Sequence, residues 1–467
     1  MPPKQMNIDA LNRLMNNQGS PQVSKQELER RKRMYFASNK PGPGVPKKEQ
    51  EFFQNLVNDT FVSNLFTDFQ ALMTVTDQTP TFILKPLFES SLVLRTLQAA
   101  QKLFQTLLNV EKVTVPGISQ SEYATLVQKH HKNQEIQLLG PNKLPPQTNH
   151  KLILAGDTHG TFESLITIFT HNPLNKDTYY VFNGDYVDRG SFSVEILTFL
   201  LILRLAGYNI FMTRGNHEIE SVCENYSYKL ELEKKYPLEH AELFEASLLF
   251  FKQIPIGVII NDSWLVIHGG LSAWENFDIE VLKKLNRCRD PESDQSKDLS
   301  HFDPLNDVLW ADPTDEIPNV RFNDVRGASV QFGVNYTKKF LQKSKLQHIV
   351  RSHTCVEAGY EEMHEGQVFT LFSVPNYNGN NLGAYMVFYG IYDENKEVSQ
   401  IIKGIYGENA TAKDVYLQNS TAPKVFIRQF INSDNSRIVN QPLIQEMSQN
   451  MMQRQIQQMM MMYGGGM

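Results

Sequence analysis

Three apolar segments between Lys151 and Thr213 each run into a glycine-flanked turn rich in charged and imidazole side chains. This repeat limits the chain to an α/β architecture. Lys151-Leu152-Ile153-Leu154-Ala155 leads into Gly156-Asp157-Thr158-His159-Gly160. Tyr179-Tyr180-Val181-Phe182 leads, through Asn183, into Gly184-Asp185-Tyr186-Val187-Asp188-Arg189-Gly190. Tyr208 to Thr213 leads into Arg214-Gly215-Asn216-His217-Glu218. The β-branched and aromatic content of these segments predicts strands, and the apolar-periodic stretches between them, one through Phe169 and one from Ser191 to Leu205, predict helices. In a βαβαβ unit, right-handed crossovers bring all three strand ends to one edge, where ligands of open α/β sheets bind. Asp157, His159, Asp185, Asn216 and His217 are therefore expected to converge. Taken alone, the heptad at 184–190 also fits an ordinary charged turn, and the rest of the chain decides.

Later segments repeat the pattern. Ser263-Trp264-Leu265-Val266-Ile267 ends in His268-Gly269-Gly270, and Gln347-His348-Ile349-Val350 ends in Arg351-Ser352-His353. Between them lie Leu309-Trp310-Ala311-Asp312-Pro313 and Arg326-Gly327-Ala328-Ser329; a further strand from Val368 to Val374 ends in Pro375-Asn376-Tyr377.

A convergent His, Asp and Asn set without thiolates suits a hard to borderline divalent cation such as Mn, Fe or Zn. It holds more ligands than one open site needs. Two metal ions sharing one carboxylate is the economical arrangement, and Asp185, at the end of the middle strand, is the natural bridge. Such a pair clamps a phosphoryl oxygen and holds a hydroxide that is nucleophilic near neutral pH. The expected reaction is direct, in-line hydrolysis of a phosphoester. Arg189 and Arg326 are placed to bind phosphate oxygens. His217, oriented by Asp188, is the candidate acid for the leaving group, because a neighbouring carboxylate raises its pKa.

The flanks read differently. Residues 1–48 are Asn/Gln-rich, then basic at Arg30-Arg31-Lys32-Arg33, then rich in Pro and Gly, a composition expected to be disordered. The basic cluster fits either a nuclear-import patch or a solvated basic stretch. Residues 49–148 are expected to be a helical extension packing on the domain that follows, with Phe52, Phe53, Leu56, Phe61, Leu65 and Phe69 at helical spacing. Lys129-His130-His131-Lys132 is expected to be solvated surface. The catalytic domain is expected over residues 149–430 and a Gln/Met-rich tail over 431–467; within the tail, Pro442 to Met462 could form a methionine-faced helix that covers a groove. Residues 1–50 carry +6 of a total net charge of −6, so the body is acidic and gives no nucleic-acid signature. Three scattered cysteines, with neither an apolar signal core nor a membrane-length apolar run, lead to the expectation of a cytoplasmic or nuclear protein.

The motif set Gly156–Gly160, Gly184–Gly190, Arg214–Glu218, His268–Gly270 and Arg351–His353 resembles the signature of the metal-dependent phosphoprotein phosphatases, the PPP serine/threonine family. Arg189-Gly190-Ser191-Phe192-Ser193-Val194-Glu195 and Gly359-Tyr360-Glu361 look most like its type-5 branch. The resemblance covers about residues 150–395. It implies a β-sandwich flanked by helices, the calcineurin-like metallophosphoesterase fold, rather than a doubly wound sheet. It also implies one metal held by Asp157, His159 and Asp185, and a second by Asp185, Asn216, His268 and His353. Arg189, Asn216 and Arg326 would bind phosphate, Tyr377 would lie at the rim, and His217 with Asp188 would protonate the leaving group. The implied substrates are phosphoserine and phosphothreonine in proteins, the alternative being a dimetal phosphoesterase acting on a non-protein phosphate ester. Regulatory proteins would engage through the N-terminal helices or the tail; nucleic acid and membranes are not expected partners. The tetratricopeptide array of type-5 enzymes is not recognisable in residues 1–150. Ala311, Val374 and Asn378 depart from the family's usual Ser, Ala and Cys.

Overall fold

The strand segments around Asp157, Asp185 and Asn216 form the middle of one sheet in a two-sheet sandwich. The computed structural model describes residues 30–31, 33–36, 41–58, 60–75, 85–115, 117–119, 151–292, 299, 302–392 and 421–431. The histidine pair at 130–131, the tail beyond 431 and most of residues 1–48 lie outside them.

In the first sheet, β3 (Leu152–Ala155), β4 (Tyr179–Asn183) and β5 (Asn209–Thr213) pair in parallel. All four residues of β3 are buried, as expected for a strand covered on both faces. The sheet does not continue by further winding. β14 (Gly383–Tyr392) adds antiparallel to β3, and β15 (Thr421–Phe430) adds antiparallel to β14. β2 (Gly117–Ser119) pairs in parallel with the end of β14.

The second sheet has the order β1-β6-β7-β11-β13-β12. Its strands are β1 (Val110–Val113), β6 (Gly257–Ile260), β7 (Trp264–Val266), β11 (His348–Arg351), β12 (Tyr360–Met363) and β13 (Val368–Leu371). The βαβαβ start holds, and the later strands build a second sheet rather than continuing a doubly wound one, as the sandwich requires. The chain leaves the first sheet after β5 to build the second, because both sheets need an apolar inner face covered. Leu154, Val181 and Met386 from one sheet pack with Val258, Val266 and Val350 from the other. A short sheet of β8 (Asp312–Pro313), β9 (Val320–Phe322) and β10 (Val330–Phe332) carries Asp312 and frames the Arg326 loop.

Helices cover both outer faces. Ser193–Leu205 is apolar almost all round and buried, as a helix between layers must be. The helices Lys47–Leu56, Phe61–Val75 and Ser90–Phe104 pack on the first sheet's outer layer. Phe69 meets Phe162 and Phe192, and Phe66 meets Phe199. The extension is more than helical, however: Val110–Val113 becomes an edge strand of the second sheet, paired in parallel with Gly257–Ile260. Its Glu111 bonds Arg204 at 3.1 Å and its Lys112 bonds Asp262 at 2.6 Å, so its polar side chains find partners while Val110 and Val113 are buried. No helix among the described residues is long and apolar enough to cross a membrane.

Candidate dimetal active site

The strand ends deliver their side chains through strained turns. His159, Asp185, Asp188, Arg189 and His353 have positive φ, between 39° and 73°. Each costs on the order of 1 kcal/mol or more, a strain typical of functional sites. Gly184 and Gly215 permit the crowding, since a Cβ on the first would strike the backbone of Gly215 and the His268 ring, and one on the second would strike Asp185. Glu218 ties the turns together. Its carboxylate accepts from the backbone N–H of Asp185 (2.9 Å), Tyr186 (2.8 Å) and Gly215 (2.8 Å).

Two groups of ligand atoms meet at Asp185. On one side His159 Nε2 lies 3.5 Å from Asp185 Oδ2 and 3.6 Å from Asp157 Oδ2. His159 Nδ1 faces the Val187 carbonyl at 3.1 Å, which leaves Nε2 with its lone pair. On the other side His268 Nε2 lies 3.3 Å from Asp185 Oδ1 and 2.9 Å from Asn216 Oδ1, and its Nδ1 faces Asn183 O at 2.7 Å. His353 Nδ1 is 2.7 Å from the same Asn216 oxygen, and its backbone N–H donates to Asp157 Oδ1 at 3.0 Å. Ligand atoms of His159, Asp185 and His217 gather within 4.8 Å of one another, as do those of Asp185, His268 and His353.

The donor set fits divalent cations. Asp157 Oδ2 is buried with no hydrogen-bond partner. Burial and the neighbouring Asp185 push the Asp157 carboxyl up to about 7, and the same causes push Glu218 to about 7. Burial also acts to raise Asp185, but the facing His268 and His217 outweigh it and hold this carboxyl well below the ordinary range. Burial drives His159 down to about 3 and His353 well below the usual imidazole value, so both rings are neutral and able to ligate. The site is thus compatible with a dinuclear centre, Asp185 offering one oxygen to each group.

Beside it stands an acid–base pair. His217 Nδ1 is 2.6 Å from Asp188 Oδ2, and its backbone N–H donates to Asp185 Oδ1 at 2.9 Å. Burial acts to lower the His217 pKa, but Asp185 and Asp188 outweigh it and the net shift is upward. Arg189 lies over the Tyr226 ring at 4.3 Å, and its buried Nε has no hydrogen-bond partner. Tyr226 in turn packs edge-on against His217, ring centres 5.0 Å apart. Tyr377 stacks on His159 at 5.4 Å. The candidate site residues among those described thus gather around one strand-end edge, which Arg326 reaches from the loop between β9 and β10. Its guanidinium is forked onto Asp312 and also reaches Thr354 Oγ1 at 3.3 Å.

Sequence reasoning left several contributors without a role. Glu218 and Arg351 lie inside the motifs, where a charge beside an apolar strand end was the available signal. Asp312 links Arg326 to the buried Arg351, whose Nη2 it accepts at 2.9 Å. Tyr226, beyond the third motif, gave no signal. Behind the heptad, the helix Tyr228–Lys235 grips it at two points. Tyr228 N donates to Asp188 Oδ1 at 2.8 Å. Lys235 Nζ donates to Ser191 O at 2.6 Å and to the buried Glu195 and Glu231 at 2.5 and 2.9 Å.

The Asp312 fork makes stability pH-dependent. Burial acts to raise this carboxyl, but Arg351, His353 and Arg326 outweigh it and pull it far below the ordinary value. A depressed folded-state pKa gives stabilisation that is present above the unfolded value, about 4, and is lost as pH falls below it. Asp312→Asn is therefore expected to cost ~3 kcal/mol at pH 7 by leaving two arginines underpaired. The gap to wild type in denaturant titrations should narrow as pH drops from 5 towards 3; a gap independent of pH would refute the charge-based account.

Residues 150–357 match the family model described as calcineurin-like phosphoesterase. This region has the calcineurin-like metallophosphoesterase fold, and the two-sheet architecture and strand-end donor set agree with it. Within that class it is similar to proteins named serine/threonine-protein phosphatase, among them those called 5, T and rdgC. It is 39% identical over 229 residues to "Serine/threonine-protein phosphatase 5" of Homo sapiens, covering 49% of this chain and 43% of that protein. It is 35% identical over 259 residues to "Serine/threonine-protein phosphatase rdgC" of Drosophila melanogaster, covering 53% of this chain and 39% of that protein. The chain spans about half the length of the curated relatives it matches, between 39% and 56% of each. A solved phosphatase from Saccharomyces cerevisiae, described as similar to human PP5, shares the fold with a TM-score of 0.55 and 24% identity, covering 82% of this chain and 96% of that one.

Proposed function

We propose that the chain is a protein phosphatase that hydrolyses phosphoserine and phosphothreonine esters in proteins. The observation that carries the reading is the division of Asp185, one oxygen towards His159 and the other towards His268, beside the His217–Asp188 pair. The relatives' names support the substrate class.

Asp157, His159 and Asp185 would hold one cation, and Asp185, Asn216, His268 and His353 the other. Mn, Fe or Zn suit this imidazole, carboxylate and amide set. Bound there, the cations would polarise the phosphoryl oxygens and lower the pKa of a water. Arg189, with its open Nε, and Arg326, fixed by Asp312, would hold the remaining phosphate oxygens and offset charge that develops on them. Asn216 would add a side-chain contact, and Tyr377, stacked on His159, would wall the rim. Asp188 holds His217 by Nδ1, so the proton for the leaving oxygen would come from Nε2.

The test compares a phosphoserine peptide with a phosphodiester under added Mn. The expected result is strong preference for the phosphopeptide, and preference for the diester would favour the alternative, a phosphoesterase acting on non-protein esters. His217→Asn is expected to lower turnover on the order of 10²- to 10⁴-fold while bound metal stays unchanged. Near-normal turnover would remove His217 from the role of acid. Three unpaired cysteines support placing the chain in a reducing compartment, the cytoplasm or nucleus.

A further inference from the structure

Asp307 is a fully buried carboxylate that the proposed phosphoryl chemistry does not use. It sits on the short helix Pro304–Trp310, whose Leu305, Val308 and Leu309 are buried in the apolar layer over the second sheet. A carboxylate in such a layer costs desolvation that an apolar side chain would avoid. Burial pushes it up to about 7 against the pull of its hydrogen-bond donors. Its position needs a reason, and its partners supply one.

The helix stands between two parts of the candidate site. On one flank the backbone N–H of Gly269, next to His268, donates to Val308 O at 2.8 Å. Ser272 Oγ and the Ala273 N–H, a few residues on, donate to Asp307 Oδ2 at 2.7 and 3.1 Å. On the other flank Ser329 Oγ donates to Asp307 Oδ1 at 2.8 Å. Asp307 thus spans from the His268 turn to the loop that carries Arg326.

That loop joins β9 to β10 and is tied at both ends. The Asn323 N–H donates to Ser329 O at 3.0 Å, and the Gly327 N–H donates to Asn323 O at 2.9 Å. The Arg326 N–H donates to Asn323 Oδ1 at 3.3 Å. Asn323 Nδ2 donates to Asp312 Oδ2 at 2.8 Å, so Asp312 holds the start of the loop as well as the Arg326 guanidinium. Ser329 closes the loop, buried and with a φ of 61°. A non-glycine residue keeps this left-handed conformation only where its neighbours hold it. Residues 324, 325 and 327, on either side of Arg326, are exposed. The direction of Arg326 therefore depends on how the two ends are fixed.

We propose that Ser329, held by Asp307, is a positioning residue for the substrate phosphate: the bond fixes where the loop ends, and so where Arg326 presents its guanidinium relative to His268. Ser329 acts through Arg326 and not on the ester itself. The inference rests on the phosphate-binding role given to Arg326 under the proposed function.

Ser329→Ala removes the hydroxyl and leaves the helix and the other bonds of Asp307 in place. With added Mn, kcat/KM for a phosphoserine peptide should fall ~10-fold, because a small misplacement of a positioned group costs that order. The Kd of inorganic phosphate, read by calorimetry on the Mn-loaded full chain, should rise by a similar factor. In an Arg326→Ala background the same substitution should change either quantity less than ~2-fold, since the group it positions is gone. Equal losses in the two backgrounds would make Ser329 a plain structural residue and overturn the proposal. So would wild-type values in the Ser329→Ala chain. If that chain does not melt cooperatively, Ser329→Gly, suited to positive φ, takes its place with the same expectations. A wild-type chain that binds phosphate without turning over the peptide would refute the phosphatase reading instead, and the phosphate Kd values would then decide this inference by themselves. Absence of phosphate binding by wild type would sink both.

Discussion

Asp185→Asn is expected to strip the chain of bound divalent cation and of turnover in one step. Both ligand groups depend on this carboxylate: Oδ2 faces His159 Nε2 at 3.5 Å and Oδ1 faces His268 Nε2 at 3.3 Å. The amide is nearly isosteric but carries no charge and replaces one acceptor oxygen with a donor. It therefore cannot serve both sides. Oδ1 also accepts the His217 backbone N–H, so the acid is disturbed as well. Turnover should fall ~10³-fold or more, and metal per chain, measured by mass spectrometry after desalting, should fall with it. A variant that kept two equivalents of metal would disprove the bridging role even if it were inactive.

Lys235→Met should cause a comparably large loss, of stability first. Lys235 is buried against two buried glutamates, Glu195 at 2.5 Å and Glu231 at 2.9 Å. Each glutamate also accepts backbone N–H groups: Leu87 N reaches Glu195 at 3.3 Å, and Ser193 N and Val194 N reach Glu231 at 3.0 and 3.1 Å. Removing the ammonium leaves two carboxylates buried without their cation, which typically costs ~3–5 kcal/mol, or roughly 3–5 °C in a protein of this size. Activity should decline as well, because Lys235 fixes Ser191 while Tyr228, at the other end of the helix, fixes Asp188. Lys235→Met combined with Glu195→Gln should recover part of the melting temperature. If the single variant melts within a degree or two of wild type, the triad is not a structural clamp.

The strand-end residues were legible because each sits where an apolar strand meets a glycine-bounded turn, a local pattern with one geometric consequence. Asp157, Asp185 and Asn216 needed only the parallel order of β3, β4 and β5 to be brought together. Glu218 was visible as a letter in a motif, but its work is to accept four backbone N–H groups, and no side-chain pattern records which amides face it. Glu231 and Lys235 are four apart on one helix, a spacing ordinarily taken for a solvent-exposed pair. Their burial comes from helix Ser193–Leu205 packing over them, which is tertiary information. The edge strand Val110–Val113 was equally hidden: its Glu and Lys look like loop residues until Gly257–Ile260 arrives beside it. The second sheet escaped derivation for the same reason. Its strands are short and separated by helices, and the family resemblance, not the residue pattern, supplied the sandwich.

That edge strand bears on where the chain can be divided. Residues 150–357 carry the family match, yet the strand beside β6 comes from residues 110–113, the one beside β3 from 383–392, and the next one out from 421–430. A fragment cut to the matched span would expose the backbone edges of β6 and β3, with the outer layer bare where Phe53, Leu97 and Phe104 had been. Open strand edges next to uncovered apolar surface favour association with other chains over folding. The span that keeps all the described strand pairings and the outer helical layer runs from about residue 41 to residue 431. On the ribosome, β3 gains its second neighbour only once residues 383–392 have been made.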